Sequence, residues 1–273
     1  MSAKKLNGCK MNDKKEFLLQ SIIKAYIEHC EPIGSTQLKS MYDIAYSPAT
    51  IRGYFKKLGD EGFLAQEHIS SGRTPTTEAL KQYWATKLNF DLKGINLQAL
   101  QYYAQALDIS VFLKKEKTDV LKNILNIENR YMILEFTSFA INVKFSDPLY
   151  RFLKDMIGIN IKDILKISKD VGAYEIFDAI NQNIENSDFE IFNYKEFLNL
   201  ALNYDFDDLT INSFLKGTIL DRIEPGLYFE ELLPIGYIGI CHYCKVNNED
   251  IKMLVIGKLP KNYEEFYSRI KTF

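Results

Sequence analysis

The chain is poor in the residues that staple small folds, hold metals or run catalysis, with four cysteines, three histidines and one tryptophan among 273 residues. Cys9, Cys30, Cys241 and Cys244 are too few and too scattered for a disulfide framework, and such usage suits a reducing compartment. No apolar run approaches the ~18 residues that span a bilayer. The Lys-rich start, Met1 to Lys15, lacks the apolar core of a secretory leader, so a soluble cytoplasmic protein is expected. Catalytic signatures are missing as well. There is no P-loop, no G-x-S-x-G and no H-E-x-x-H. Gly236-x-x-Gly239 lacks the third glycine and following helix of a dinucleotide loop. The carboxylate pairs Asp207-Asp208, Glu230-Glu231 and Glu264-Glu265 are sequence neighbours that face different directions, as on a solvated surface. Neither enzymatic activity nor a cofactor is expected.

What the chain does have is apolar and aromatic material, 47% hydrophobic with 18 Phe and 17 Tyr, enough for packed cores and an interface. The net charge of −2 conceals an uneven distribution. Residues 1–90 carry 13 Lys and Arg against 9 Asp and Glu, whereas residues 91–273 carry 21 against 27. A basic head on an acidic body suits a head that meets phosphate and a body that does not.

Residues 1–12 read as a basic tail. From Asp13, the residues Phe17, Leu18, Ile22, Ala25 and Tyr26 recur at helical spacing until Pro32 and Gly34 stop the pattern. Ser35 reads as the cap of a short second helix, and Ser47-Pro48 as the cap and first position of a third, which carries Ile51, Phe55 and Leu58 and ends near Gly62. Two short extended pieces follow, around Phe63–Gln66 and Thr74–Pro75. Thr76 or Thr77 then opens a helix with Leu80, Tyr83, Trp84 and Leu88. Three helices, a hairpin and a closing helix within 13–90 is the plan of a winged helix-turn-helix. Beyond it, helices are expected over 97–113, 148–157, 171–183 and 194–204. Two strands are expected within 131–145, and a hairpin over 235–256 around Asn247-Asn248. The whole reads as α+β.

In the third helix, Ile51, Phe55 and Leu58 share one stripe, while Thr50, Arg52, Gly53, Lys56 and Lys57 lie mostly off it. A small, hydroxyl-bearing and basic face fits a major groove, where Arg52 can take a guanine edge or a phosphate and Thr50 a thymine methyl. In the stretch from His68 to Thr76, Gly72 allows a tight turn, Ser70 and Ser71 offer donors to phosphate, and Arg73 can reach a phosphate or a minor groove.

Three blocks, Glu31-Pro-Ile-Gly-Ser-Thr36, Ser47-Pro-Ala-Thr-Ile-Arg52 and His68-Ile-Ser-Ser-Gly-Arg-Thr-Pro-Thr76, resemble in order and spacing the N-terminal signature of the heat-inducible transcription repressor family HrcA. The resemblance implies a repressor of chaperone genes that binds an inverted-repeat operator in double-stranded DNA as a homodimer, supported by the chaperonin GroEL. It implies a winged helix domain followed by a GAF-like α+β domain, residues 91–273, into which a dimerising segment, here reduced and near 160–230, is inserted. The candidate DNA contacts are then Ser35, Thr36, Ser47, Thr50, Arg52, Gly53, Lys56, His68, Ser70, Ser71, Gly72 and Arg73. The family's Asn after Ile-Arg is Gly53 here, and the residue before His68 is Glu67 rather than Pro.

Two further features concern the body. The segment Tyr194 to Tyr204, with Phe197, Leu198, Leu200, Ala201 and Leu202, is expected to supply a dimer face. Cys241-His-Tyr-Cys244 supports a rival reading, a DNA-binding regulator that senses a metal, a redox state or a small ligand through Cys241, His242 and Cys244. Against this, no second ligand pair lies nearby, and side chains on a strand alternate, so Cys241 and Cys244 face apart.

Overall fold

The computed structural model describes residues 13–68, 71–88, 92, 94–116, 119–183, 189–247 and 249–272. The architecture is α+β, in two compact units. The first comprises 1–112, 191–248 and 252–273, and the second 113–190 with 249–251. Of the segment expected to be inserted, 160–190 falls in the second unit and 191–230 in the first.

The first unit opens with α1 (Asp13–His29), which buries Leu18, Ile22, Ile23 and Ala25 and leaves Phe17 half exposed. It ends where Cys30 adopts left-handed backbone. α2 (Ser35–Tyr42) starts one residue before its expected place. Gly34 has the extended backbone of a cap and its N–H donates to the Gln37 side-chain oxygen, so Ser35 is the first helical residue rather than the cap. α3 (Pro48–Asp60) begins as expected. The Ser47 hydroxyl oxygen accepts from the Thr50 N–H at 3.1 Å, and Pro48 stands where its missing N–H costs nothing. Ile51, Phe55 and Leu58 form the buried stripe of α3. β1 (Leu64–Ala65) and β2 (Thr74–Pro75) pair antiparallel, and Thr76 caps α4 (Thr77–Lys87).

After α5 (Leu97–Ala106) the chain turns at Asp108, which has φ 49°, into β3 (Ser110–Lys115). A single helix over 97–113 is therefore incorrect. Residues Ile109 to Leu113 are at most 5% exposed. A strand covered on both faces shows no period-two alternation to distinguish it from a buried helix.

The second unit contains β4 (Leu121–Ile127), β5 (Tyr131–Phe136) and β6 (Ala140–Lys144), an antiparallel sheet in that order. α6 (Asp147–Lys154), α7 (Ile161–Asp170) and α8 (Tyr174–Asn183) follow, with a core of Leu121, Met132, Leu134, Ile141, Leu153, Ile161, Ile164, Ile176 and Ile180. The two strands expected within 131–145 are β5 and β6. β4 and α7 come in addition.

The chain continues through β7 (Phe189–Phe192), α9 (Tyr194–Asn203), α10 (Asp208–Leu215), β8 (Gly226–Tyr228), β9 (Tyr237–Val246), β10 (Glu249–Lys258) and α11 (Tyr263–Ile270). The larger sheet has the order β7-β3-β10-β9-β8. α9 does not present its apolar face outward. Phe197, Leu200 and Ala201 are buried, and the Phe197 ring packs on Phe112 and Phe214 with centroids 5.3 and 4.6 Å apart. Of the dimer face expected over Tyr194 to Tyr204, Phe197, Leu200 and Ala201 are therefore taken up by packing inside their own unit, and Leu198 is partly buried. Tyr194 and Leu202 are the large apolar side chains that α9 leaves exposed. No helix among the described residues is long and apolar enough to cross a membrane.

Trp84, the only tryptophan, ties α4 to the sheet's far end. Its indole N–H donates to the Leu259 carbonyl at 2.8 Å, and its ring meets Tyr263 edge-on at 5.2 Å. Nearby, the Tyr83 hydroxyl donates to Glu264 and Lys81 pairs with Glu230. Trp84→Phe keeps most of the apolar contact but leaves the buried Leu259 carbonyl without its donor. The expected loss is about 1–3 kcal/mol, read as a lower urea midpoint. An unchanged midpoint would mean that the indole N–H contributes nothing to holding α4 against Leu259.

Candidate nucleic-acid interface

The exposed side of α3 is a continuous arc of Ala49, Thr50, Arg52, Gly53, Lys56 and Lys57, opposite the buried stripe. Near its start the Thr50 and Ser47 hydroxyls lie 2.9 Å apart, so Ser47 both caps the helix and steadies Thr50. Lys57 lies over the Tyr54 ring at 5.7 Å. Arg52 and Lys56 are exposed, and neither has a hydrogen bond or ion pair among the described residues. Lys15, by contrast, is bonded to Glu61 at 2.7 Å. Arg52 and Lys56 are thus two cations without a partner among the described residues, side by side on the exposed arc of α3.

The hairpin is fastened at both ends. The Phe63 N–H donates to the Leu58 carbonyl, and the Thr76 hydroxyl donates to the Gly62 carbonyl at 2.8 Å, which joins the end of α3 to the start of α4. On the returning side, Ile33 and Arg73 exchange both backbone hydrogen bonds at 2.9 Å. That bridge sets β2 against the corner between α1 and α2, directly before Ser35 and Thr36, of which Thr36 is exposed. Sequence reasoning missed Ile33 as the anchor. The only signal available was its place as a lone apolar residue between Pro32 and Gly34.

The bridge changes what three candidates do. Gly72 has no positive φ, and its role is not a tight turn. A β-carbon there would stand 2.6 Å from the Pro32 carbonyl carbon and oxygen and from the Ile33 carbonyl carbon, so Gly72 is required by close backbone approach. Arg73 lies at the hairpin base, half-buried through its backbone bridge, with no side-chain partner among the described residues. The Ser71 hydroxyl donates to the His68 carbonyl at 2.7 Å and accepts from the His68 N–H, so it closes the turn from within. His68 is exposed. Ser70, the remaining hairpin candidate, lies outside the described residues.

The Cys-His-Tyr-Cys stretch lies in β9. Cys241, His242 and Cys244 are buried, whereas Tyr243 is 45% exposed. Burial pushes the Cys241 thiol up to about 11 and the Cys244 thiol up to about 12, so both stay protonated at neutral pH. Burial also draws His242 down to about 4. Its ring nitrogens lie 3.1 Å from the Tyr267 hydroxyl and 3.2 Å from the Tyr243 carbonyl. Among the described residues no group of three or more His, Cys, Asp or Glu is placed to hold a metal ion.

Comparison with known proteins gives a consistent class. Residues 84–273 match the family model described as the HrcA C-terminal domain. A relative from Helicobacter pylori (strain J99) is 31% identical over 262 residues, covering 94% of this chain and 94% of that protein. A second, from Helicobacter pylori (strain 26695), is 31% identical over 267 residues, covering 96% of each. A third, from Natranaerobius thermophilus, is 47% identical over 223 residues, covering 81% of this chain and 58% of that protein. All three are named as heat-inducible repressors of transcription. The chain belongs to their family, HrcA.

Two outcomes follow from this geometry. Gly72→Ala forces the hairpin away from the corner and is expected to lower stability by about 1–3 kcal/mol in urea unfolding; a variant as stable as the parent would show that the approach tolerates a β-carbon. His242 is neutral when folded down to about pH 4, while in the unfolded chain it takes a proton near its ordinary value of 6.5. The unfolded state therefore binds more protons between those values. This part of the stability is complete above pH 6.5 and is lost as pH falls, by about 2 kcal/mol at pH 5. His242→Gln should lose less stability than the parent between pH 7 and pH 5; parallel losses would contradict a neutral buried imidazole.

Proposed function

We propose that the chain represses heat-shock genes by binding an inverted-repeat operator as a homodimer, with residues 13–90 acting as a winged helix-turn-helix. The observation that carries the reading is the α3 face, where Arg52 and Lys56 are exposed without partners among the described residues, in a chain of the HrcA family. α3 enters the major groove. Thr50, Arg52 and Gly53 face base edges, and Lys56 and Ser47 face the backbone. The hairpin, with His68, Ser70 and Arg73, lies against the neighbouring phosphates, while Gly72 and Ser71 hold its shape. Thr36 at the start of α2 supplies a further phosphate contact, next to Ser35.

A single head makes too few contacts to find a rare genomic site, which is why the reading includes a two-fold dimer. In the second unit, β4 and β5 leave Leu125, Ile127 and Tyr131 exposed, with Ile127 paired to Tyr131 and Leu125 to Ile133 across the strands. This apolar patch is the surface we assign to the dimer, in place of α9. The chaperonin GroEL supports the active form, and heat weakens repression when misfolded proteins draw the chaperonin away.

The test is titration of the full chain with promoter duplexes from upstream of the chaperone genes of its own genome, across a salt series. Arg52→Ala should weaken binding by ~1–3 kcal/mol and relax discrimination at one position in each half-site. Lys56→Ala should weaken all sequences alike and reduce the salt slope by about 0.9. If both variants bind as the parent does, α3 is not the recognition helix.

A further inference from the structure

Gly53 has no purpose inside the protein. It lies in the interior of α3, a helix otherwise well made, with a serine cap, a proline at its first position and a full apolar stripe. Glycine there costs helix stability relative to alanine. A β-carbon at Gly53 would meet no heavy atom within 4 Å, so neither packing nor backbone geometry asks for its absence. Its place is the middle of the exposed arc, one residue after Arg52, three after Thr50 and three before Lys56.

Resting on the reading of α3 as the recognition helix, we infer that Gly53 is a close-approach position, where the bare helix backbone seats against a base-pair edge in the major groove. Thr50 and Lys56 stand one turn to either side of the gap and Arg52 beside it. The missing side chain lets the helix sit deeper than any residue with a β-carbon would allow. Glycine also makes no side-chain hydrogen bond, so it selects by shape, admitting a base pair whose edge fills the gap and excluding others by contact distance. Gly53 thus sets specificity through space.

Gly59 provides the internal control. It is also within α3, and a β-carbon there would sit 3.6 Å from the Leu64 carbonyl oxygen, an ordinary contact, off the exposed arc. Gly53→Ala and Gly59→Ala should both stabilise the helix and raise the melting temperature of the full chain by about 2–4 °C. Each is titrated against duplexes that the parent protein selects from a randomised pool. Gly59→Ala should bind as the parent does. Gly53→Ala should bind about tenfold more weakly or worse, and its own selection should yield sites changed at one base-pair position per half-site. Gly53→Ala with parental or tighter binding overturns the inference, and so does a loss spread equally over all sequences, which would put a phosphate rather than a base at the gap. The failure of the underlying reading looks different: Arg52→Ala and Lys56→Ala then bind as the parent does, or the parent selects no sequence at all.

Discussion

The hairpin beside α3 depends on two backbone hydrogen bonds between Ile33 and Arg73. They hold β2 to the corner between α1 and α2, and Gly72 permits them, because a β-carbon there would stand 2.6 Å from the Pro32 and Ile33 carbonyl carbons. β2 ends at Pro75, and Thr76, which caps α4, is itself bonded back to Phe63 and Gly62. The position of the hairpin therefore passes into α4 without a flexible joint. α4 carries it on through Trp84 to Leu259 and Tyr263. A backbone bridge of this kind is directional and short, so it fixes orientation more tightly than apolar contact of the same extent.

Charge is distributed along the same frame by pairing. Lys15 and Lys81 are both basic residues of the first ninety, yet each is bonded to a carboxylate, Glu61 and Glu230. Exposed pairs of this kind add little stability. Their effect is to remove two cations from the local field, which leaves Arg52 and Lys56 as unpaired charges on the surface of α3.

The Cys-His-Tyr-Cys run shows how a strand disposes of a ligand-like motif. Alternation sends Cys241 and Cys244 to opposite faces of β9, and each is buried where it points. Burial then keeps the thiols protonated and the imidazole neutral. The spacing that suggests a metal or redox pair on a loop becomes ordinary core packing once it lies in a central strand.

Local signals determined much of the first ninety residues on their own. Apolar spacing marks α1, α3 and α4, Ser47-Pro48 marks the start of α3, and Thr76 or Thr77 that of α4, because caps and stripes depend on residues three or four apart. The exposed face of α3, with Thr50, Arg52, Gly53 and Lys56, followed from the same wheel. What the sequence could not determine were contacts between residues far apart along the chain. Residues 110–113 are strand rather than helix because both their faces are covered, and coverage is a property of neighbours, not of the run itself. The α9 aromatic face turned inward because Phe112 and Phe214 were there to receive Phe197. The role of Gly72 came from Pro32 and Ile33, some forty residues upstream, whose backbone passes too close for a β-carbon. Short-range chemistry is written in adjacent residues; the space left for a side chain is decided only when distant parts of the chain have met.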